Sequence, residues 1–217
     1  MPENTAEHWQ TVYRTKPTDQ VSWFTPHLAL SVRLLRQAGL NPGSRIIDIG
    51  AGASTLADDL LDAGLHDITV LDISAAALDV ARQRLGTRSA KVRWLVADAA
   101  RMDLPAASYD LWHDRATLHF LGDAGDAARY VVSATRAIVD GGCAIIGCFA
   151  ADGPERCSGL PIVRREPQDV ARLFGPAFTL VDAQHETHLT PGGLRQSFAY
   201  ALLRKTGTRR PPGADEA

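Results

Sequence analysis

The sequence predicts an α/β domain built on a doubly wound, mostly parallel sheet, and three observations support this prediction. Apolar segments of strand type alternate with amphipathic helical segments along most of the chain. A glycine-rich turn, Gly50-Ala51-Gly52, directly follows the first strand. Three successive predicted strands end at or beside an aspartate, at positions 48, 72 and 98. Because such sheets bind ligands at the carboxyl ends of their strands, these aspartates predict a site at that edge.

The composition is that of an ordinary folded protein with one large domain. The chain has 217 residues, of which 45% are hydrophobic and 22% charged, and a formal net charge of −2. This balance gives no electrostatic reason to expect nucleic acid or a membrane as a partner. Three cysteines and the lack of an apolar run of about 18 residues favour a cytoplasmic protein. We expect residues 205–217 to form a flexible tail, because this segment has almost nothing apolar to bury.

The first strand and its glycine turn occupy residues 45–56. Glycine permits a tight turn and a close approach of the backbone to a bound molecule. Ser54 is placed to cap the helix that follows. Dinucleotide-binding folds use a similar turn and rest a diphosphate on the helix N-terminus. Here Asp48 stands two residues before Gly50, where a carboxylate repels a diphosphate and favours a cationic ligand.

The acid-x-Gly-x-Gly-x-small pattern of Asp48, Gly50, Gly52 and Ser54 resembles the first motif of the class I S-adenosylmethionine-dependent methyltransferases. The resemblance extends over residues 26–204, which we therefore expect to form the cofactor-binding domain. It implies a Rossmann-like sheet of seven strands in the order 3-2-1-4-5-7-6, with the last strand antiparallel and helices on both faces. It also implies S-adenosyl-L-methionine as cofactor, S-adenosyl-L-homocysteine as product, and Ala51 as a further cofactor contact.

The acids after strands two and three extend this resemblance. A carboxylate after strand two can accept both ribose hydroxyls, so we expect Asp72 to bind the ribose and Ile73 to contact the adenine. In class I methyltransferases an acid after strand three often holds the adenine amine. This assigns Asp98 to the amine and the backbone amide of Ala99 to a ring nitrogen. The alternative for Asp72 is a capping role at the helix that begins near Ser74.

Four aromatic side chains lie in the first 25 residues, namely Trp9, Tyr13, Trp23 and Phe24. In methyltransferases similar to this chain, the N-terminal segment folds over the cofactor mouth as a lid. The resemblance therefore implies that residues 1–25 form a lid in which Tyr13 and Trp23 contact the substrate and Trp23 also contacts the cofactor. The alternative is that these rings only attach the segment to the core.

The fourth strand leads into the stretch from His113 to Phe120, which should face the transferred methyl group. Asp114-Arg115-Ala116 is similar to a segment of thiopurine-type and lysine-directed methyltransferases. We expect His113 and Asp114 to be catalytic, with His113 as a general base that titrates near neutral pH. Arg115, His119 and Phe120 are expected to contact the substrate. Two alternatives stay open: His113 as a structural residue bordering the cofactor, and an internal ion pair between Asp114 and Arg115.

Two cysteines lie near the predicted ligand edge of the sheet. Cys148 falls on the fifth strand, and Cys157 falls in the long loop that follows it. Loops at this edge carry specificity, so we expect Cys157 to contact the substrate. Eight residues separate the two cysteines and no close second pair follows, which falls short of the usual zinc ligand spacing. We expect no metal.

The predicted function is that of an S-adenosylmethionine-dependent methyltransferase with a small-molecule acceptor, and a thiol or another soft nucleophile is favoured. A thiol with a pKa of about 8.5 is partly ionised at neutral pH, whereas a lysine amine with a pKa of about 10.4 is not. A protein lysine is the alternative acceptor. Further alternatives are an NAD(P)-dependent oxidoreductase, which Asp48 disfavours, and a cofactor-binding protein without turnover. The chain could be a monomer or a homodimer.

Overall fold

The computed structural model describes residues 5–207, which form a seven-stranded sheet covered by helices on both faces. The sheet strands are β1 (Arg45–Ile49), β2 (Asp67–Asp72), β3 (Val92–Val96), β4 (Tyr109–Arg115), β5 (Ile138–Phe149), β6 (Phe178–Leu189) and β7 (Arg195–Lys205). The helices of this range are α1 (Thr5–Thr15), α2 (Ala29–Gln37), α3 (Leu56–Asp62), α4 (Ala75–Leu85), α5 (Ala124–Ala137) and α6 (Pro167–Phe174). Most of the predicted flexible tail, residues 208–217, lies outside the described residues.

The strand order is β3-β2-β1-β4-β5-β7-β6, which confirms the predicted order. Strands β1 to β5 pair in parallel, whereas β7 is antiparallel to both β5 and β6. A separate short hairpin, Arg156–Cys157 with Leu160–Pro161, lies in the loop after β5. The topology therefore brings the carboxyl ends of β1, β2 and β4 together at one edge of the sheet.

The hydrophobic core lies on both faces of the sheet. Strand β1 is buried along most of its length, as expected for a central parallel strand covered on both sides. On one face Trp112 of β4 packs with Tyr130 of α5 and Phe174 of α6. The other face is covered by α2, α3 and α4, whose buried leucines include Leu34 and Leu78. Each such buried side chain contributes about 1.5–3 kcal/mol relative to exposure.

A polar network crosses the core between β4 and α5. The indole Nε1 of Trp112 donates to the Tyr130 hydroxyl at 2.8 Å, and that hydroxyl donates to Asp114 Oδ2 at 2.6 Å. Asp114 also accepts from the backbone N–H groups of Thr117 and Leu118. Burial raises the pKa of the Asp114 carboxyl to about 6, although the hydrogen bond from Tyr130 opposes this shift. The network fixes the turn that leaves β4.

No helix within residues 5–207 has the length and apolar character needed to cross a membrane.

We expect Tyr130→Phe to lower the free energy of unfolding by roughly 2–4 kcal/mol, measured by urea denaturation. The substitution leaves the buried Trp112 Nε1 without a hydrogen bond, which costs about 1–3 kcal/mol, and Asp114 Oδ2 keeps its bond from the Leu118 N–H but loses a second one, which to a charged group is worth about 1.5–3 kcal/mol. Tyr109→Phe is the matched control, because the Tyr109 side chain is equally buried but its hydroxyl makes no hydrogen bond within the described range. Equal losses in the two variants would show that the network does not stabilise the fold.

Candidate active site

A large cavity opens at the carboxyl edge of the sheet and contains about 980 Å³ of empty space, including its open mouth. Its walls come from residues 9–28, the glycine turn, the ends of β2 and β4, the segment after β3 and the short hairpin. Most residues predicted to form the site line it: Tyr13, Trp23, Asp48, Gly50, Ala51, Ser54, Asp72, Ile73, Ala99, His113, Arg115, Phe120 and Cys157. These residues, predicted from separate parts of the sequence, therefore come together around one cavity.

Four predicted residues do not line this cavity. Gly52 lies beneath the Tyr13 ring. Asp98 directs Oδ1 to the backbone N–H of Ala100, while its neighbour Ala99 does reach the cavity. Asp114 and His119 are fully buried behind the wall. Burial and nearby arginines lower the pKa of His119 to about 3, so its ring is neutral.

The Asp72 carboxylate joins the glycine turn to the start of α4. Its Oδ2 accepts from the Gly52 N–H at 2.7 Å and its Oδ1 accepts from the Ser74 N–H at 2.8 Å. Burial raises the pKa of Asp72 to about 6, the backbone hydrogen bonds oppose this shift, and Asp48 adds to it. Each carboxylate oxygen has two acceptor positions, so both oxygens can still accept from a ligand in the cavity. The predicted capping role and a ligand-binding role are thus compatible.

Tyr13 lies directly over the glycine turn. Gly52 has φ +58°, and a Cβ at this position would lie 2.0 Å from the Tyr13 hydroxyl oxygen. The turn therefore requires glycine here for its backbone conformation and for the space that Tyr13 occupies. Trp23 Nε1 donates to the same hydroxyl at 3.2 Å, and burial raises the pKa of Tyr13.

Helix α1 is attached over the cavity by polar and aromatic contacts. Gln10 Oε1 accepts from both the Ser74 hydroxyl and the Ala76 N–H at 2.8 Å, at the N-terminus of α4. The Trp9 ring packs edge-on against Trp23 at 5.6 Å and Phe120 at 5.3 Å. Sequence analysis missed Gln10, since nothing in the local pattern indicates which distant helix it contacts. Residues 9–25 therefore cover the cavity.

His113 is held between two partners. It pairs in register with Asp48 on the neighbouring strand, and its Nδ1 lies 2.7 Å from Asp48 Oδ1. Its Nε2 lies 2.9 Å from the hydroxyl of Ser31 on α2, a residue that sequence analysis also missed. The ring is 1% exposed. A general base needs a nitrogen that can reach the acceptor proton, and both nitrogens of His113 are already engaged.

The predicted ion pair between Asp114 and Arg115 is not formed. Successive residues of a strand point to opposite faces, so the two side chains diverge. Arg115 instead donates from Nε to the Tyr200 hydroxyl and from Nη1 to the Trp23 carbonyl oxygen. Its guanidinium carbon lies 4.4 Å from the centre of the Phe198 ring.

The cysteines are free, buried thiols. Burial raises the pKa of Cys157, which lines the cavity, to about 12 and also raises that of Cys148. Within the described range, no three histidine, cysteine or acidic side chains are grouped so as to hold a metal ion.

Comparison with known proteins identifies a methyltransferase domain. Residues 46–142 match the family model described as a methyltransferase domain, and this range includes nearly all of β1, all of β2 to β4, and both Asp48 and Asp72. The chain therefore carries a methyltransferase domain, and its sheet has the strand order predicted from the class I resemblance. S-adenosyl-L-methionine is accordingly the cofactor of this methyltransferase, as predicted. Its cavity fits a cationic nucleoside, because buried Asp48 and Asp72 face it together with apolar Leu71 and Ile73.

The chain is also similar to individual curated methyltransferases. The eEF1A lysine and N-terminal methyltransferase of Mus musculus is 26% identical over 113 residues, which make up 52% of this chain and 16% of that protein. The chain thus matches only a small part of its curated relatives.

Two solved structures share the fold of this methyltransferase. One was determined in work on the conversion of a disulfide bond into a thioacetal group during echinomycin biosynthesis (TM-score 0.74, 23% identity, 93% of each chain). The other is the 1,6-didemethyltoxoflavin-N1-methyltransferase of Burkholderia thailandensis with 1,6-didemethyltoxoflavin and S-adenosylhomocysteine bound (TM-score 0.70, 21% identity, 95% of this chain and 91% of that chain).

We expect the affinity for S-adenosyl-L-homocysteine to fall about tenfold between pH 7.5 and pH 5, measured by calorimetric titration. A ribose that donates two hydroxyl hydrogens to Asp72 binds its carboxylate form. Because burial raises the pKa of Asp72 to about 6, the ligand-free protein becomes protonated there as the pH falls through that value.

Asp72→Asn provides the control for this titration, because an amide does not titrate in this range. Its weaker residual affinity should not change between the two pH values. A pH-independent affinity of the unmodified protein would contradict the assignment of Asp72 to the ribose.

Proposed function

We propose that this methyltransferase acts on a small-molecule acceptor that carries a thiol or another soft nucleophile. The main support is the aromatic cover formed by Trp9, Trp23 and Phe120, whose rings meet across the cavity. A cavity covered on one side by aromatic rings suits a small ligand that is largely surrounded by protein. An extended protein segment would need a groove that is open at both ends.

In this proposal the acids hold the cofactor. Asp72 accepts the ribose hydroxyls, and Ile73 and Ala99 contact the adenine. Asp48 attracts the cationic amino-acid end, and His113 holds the Asp48 carboxylate in place with the help of Ser31. Asp98 is assigned to the adenine amine, which requires its side chain to turn from its present bond to Ala100.

The preference for a soft acceptor follows from the lack of a free base among the titratable groups that line the cavity. Both nitrogens of His113 are engaged, and burial raises the pKa of the Tyr13 hydroxyl and of the Cys157 thiol. An acceptor that is partly ionised by itself needs no base, and a thiol meets this condition near neutral pH. We therefore give His113 a positioning role in place of the role of general base.

Alignment is the main contribution that the chain can make to catalysis. When bound, the cofactor supplies a methyl group on a sulfonium, which undergoes direct displacement. Holding the acceptor in line can lower the barrier by roughly 7–11 kcal/mol through entropy already lost on binding. In this proposal Trp23, Phe120 and Cys157, which line the cavity, hold the body of the acceptor.

A protein lysine is the second candidate acceptor. It is favoured by the similarity to the eEF1A lysine and N-terminal methyltransferases, which cover about half of this chain. The engaged state of His113 disfavours it, since a lysine amine must lose a proton before attack. We also propose a cytoplasmic location, on the ground that all three cysteines are free thiols. We also propose that the protein acts as a monomer or as a homodimer.

The test is an acceptor screen that measures release of S-adenosyl-L-homocysteine with thiols, amines, phenols, carboxylic acids and a lysine peptide. We expect the highest kcat/KM with thiols. Loss of turnover with every thiol, together with turnover of the lysine peptide, would replace the first candidate by the second.

We further expect the pH dependence of kcat/KM to follow the acceptor. With two thiols whose pKa values differ by about 1 unit, the rising limb of the profile should shift by the same amount, because each acceptor ionises by itself. The measurement is the initial rate from pH 6 to pH 9.5. If the rising limb of kcat/KM lies at the same pH for both thiols and disappears in His113→Asn, then His113 acts as the general base.

A further inference from the structure

Arg115 has one nitrogen that the fold leaves without a hydrogen bond. Its Nε and Nη1 donate to Tyr200 and to the Trp23 carbonyl oxygen at 3.0 and 3.1 Å. Its Nη2 is buried and has no hydrogen-bond partner within residues 5–207. A buried polar group of this kind is costly unless a ligand satisfies it. The guanidinium is otherwise held firmly, since it is stacked on Phe198.

The positive charge of Arg115 also lacks a direct counter-charge. No carboxylate of the described residues lies within ion-pair distance of it; the nearest link to an acid runs through the Tyr200 hydroxyl, which donates to Glu186 at 3.2 Å. The charge reaches its surroundings, because it helps to lower the pKa of both His119 and His188. A partly buried guanidinium without a direct counter-charge favours an anion, and its planar donors match a carboxylate.

The position of Arg115 points to the acceptor end of the cavity. It ends β4 two residues beyond His113, which is about 6–7 Å further along the strand. Together with Thr25 and Leu28, Arg115 lines both the main cavity and a small second pocket, which Ser31, Glu186 and His188 also line. The Arg115 side chain contacts Tyr200 and Phe198 of β7, which lies on the side of β4 away from β1.

We propose that Arg115 Nη2 binds a carboxylate of the methyl acceptor, so that the acceptor is an anionic small molecule. This inference rests on the proposed function and narrows it. The carboxylate of the cofactor itself has the same chemistry and is the other possible source. The experiment separates the two.

The probes are 2-mercapto-3-phenylpropionate and its methyl ester, which share a thiol and an aromatic ring and differ in charge. Binding to the protein saturated with S-adenosyl-L-homocysteine is followed by calorimetry, and methylation is followed by product release with S-adenosyl-L-methionine. We expect the acid to bind at least about tenfold more tightly than the ester, because charge-assisted hydrogen bonds are strong. Arg115→Met should remove this difference, and Arg115→Lys should keep part of it.

Arg165→Met is the control variant, because Arg165 also has a buried nitrogen without a partner but does not line the cavity. It should leave the ratio of acid to ester affinity unchanged. Retained binding of S-adenosyl-L-homocysteine within about threefold shows that the Arg115→Met variant is folded.

Three results would overturn the inference. Acid and ester could bind equally to the unmodified protein, or neither could bind. Alternatively, Arg115→Met could weaken S-adenosyl-L-homocysteine at least tenfold and leave 5′-methylthioadenosine, which has no carboxylate, unchanged; Arg115 would then hold the cofactor. Failure of the proposed function looks different, since no thiol of the acceptor screen, charged or neutral, would be methylated.

Discussion

The site depends on one buried carboxylate, Asp72, which forms no ion pair with any residue from 5 to 207. Asp72 holds the glycine turn after β1 and the start of α4 together through two backbone N–H groups, and these elements form the floor of the cavity. The same burial that makes these hydrogen bonds strong makes the charge costly, so its pKa rises. A cationic ligand or a ligand with hydroxyl donors stabilises this buried carboxylate when it binds. The burial of Asp72 therefore accounts both for the arrangement of the cavity floor and for the kind of ligand that the cavity prefers.

The cover over the cavity uses the same elements as the floor. Gln10 accepts hydrogen bonds from the N-terminus of α4, beside Asp72, and Tyr13 rests on Gly52. Helix α1 is therefore in direct contact with the floor of the cavity. The covering segment and the cofactor site are best regarded as one unit, although more than 20 residues separate residue 25 from Asp48 in the sequence.

The sequence indicates the fold and much of the site because strand ends are placed by topology. Residues such as Asp48 and Asp72 come together once the strand order is known, and the order follows from alternating elements. Gln10 and Ser31 could not be predicted, since they reach the site from helices whose packing has no local signal. The prediction that both His113 and Asp114 are catalytic conflicts with strand geometry. The two residues are consecutive on β4, so their side chains point to opposite faces of the sheet and only one of them can reach the cavity.

The three thiols have a consequence for experiments on folding. Each is buried, and burial raises the pKa of each, so that hardly any thiolate is present in the folded chain at neutral pH. The thiolate is the form that reacts with alkylating reagents and oxidants. Modification of these cysteines therefore requires opening of the surrounding structure. The rate of alkylation therefore measures local unfolding without any added label: Cys143 and Cys148 report on strand β5, and Cys157 reports on the short hairpin.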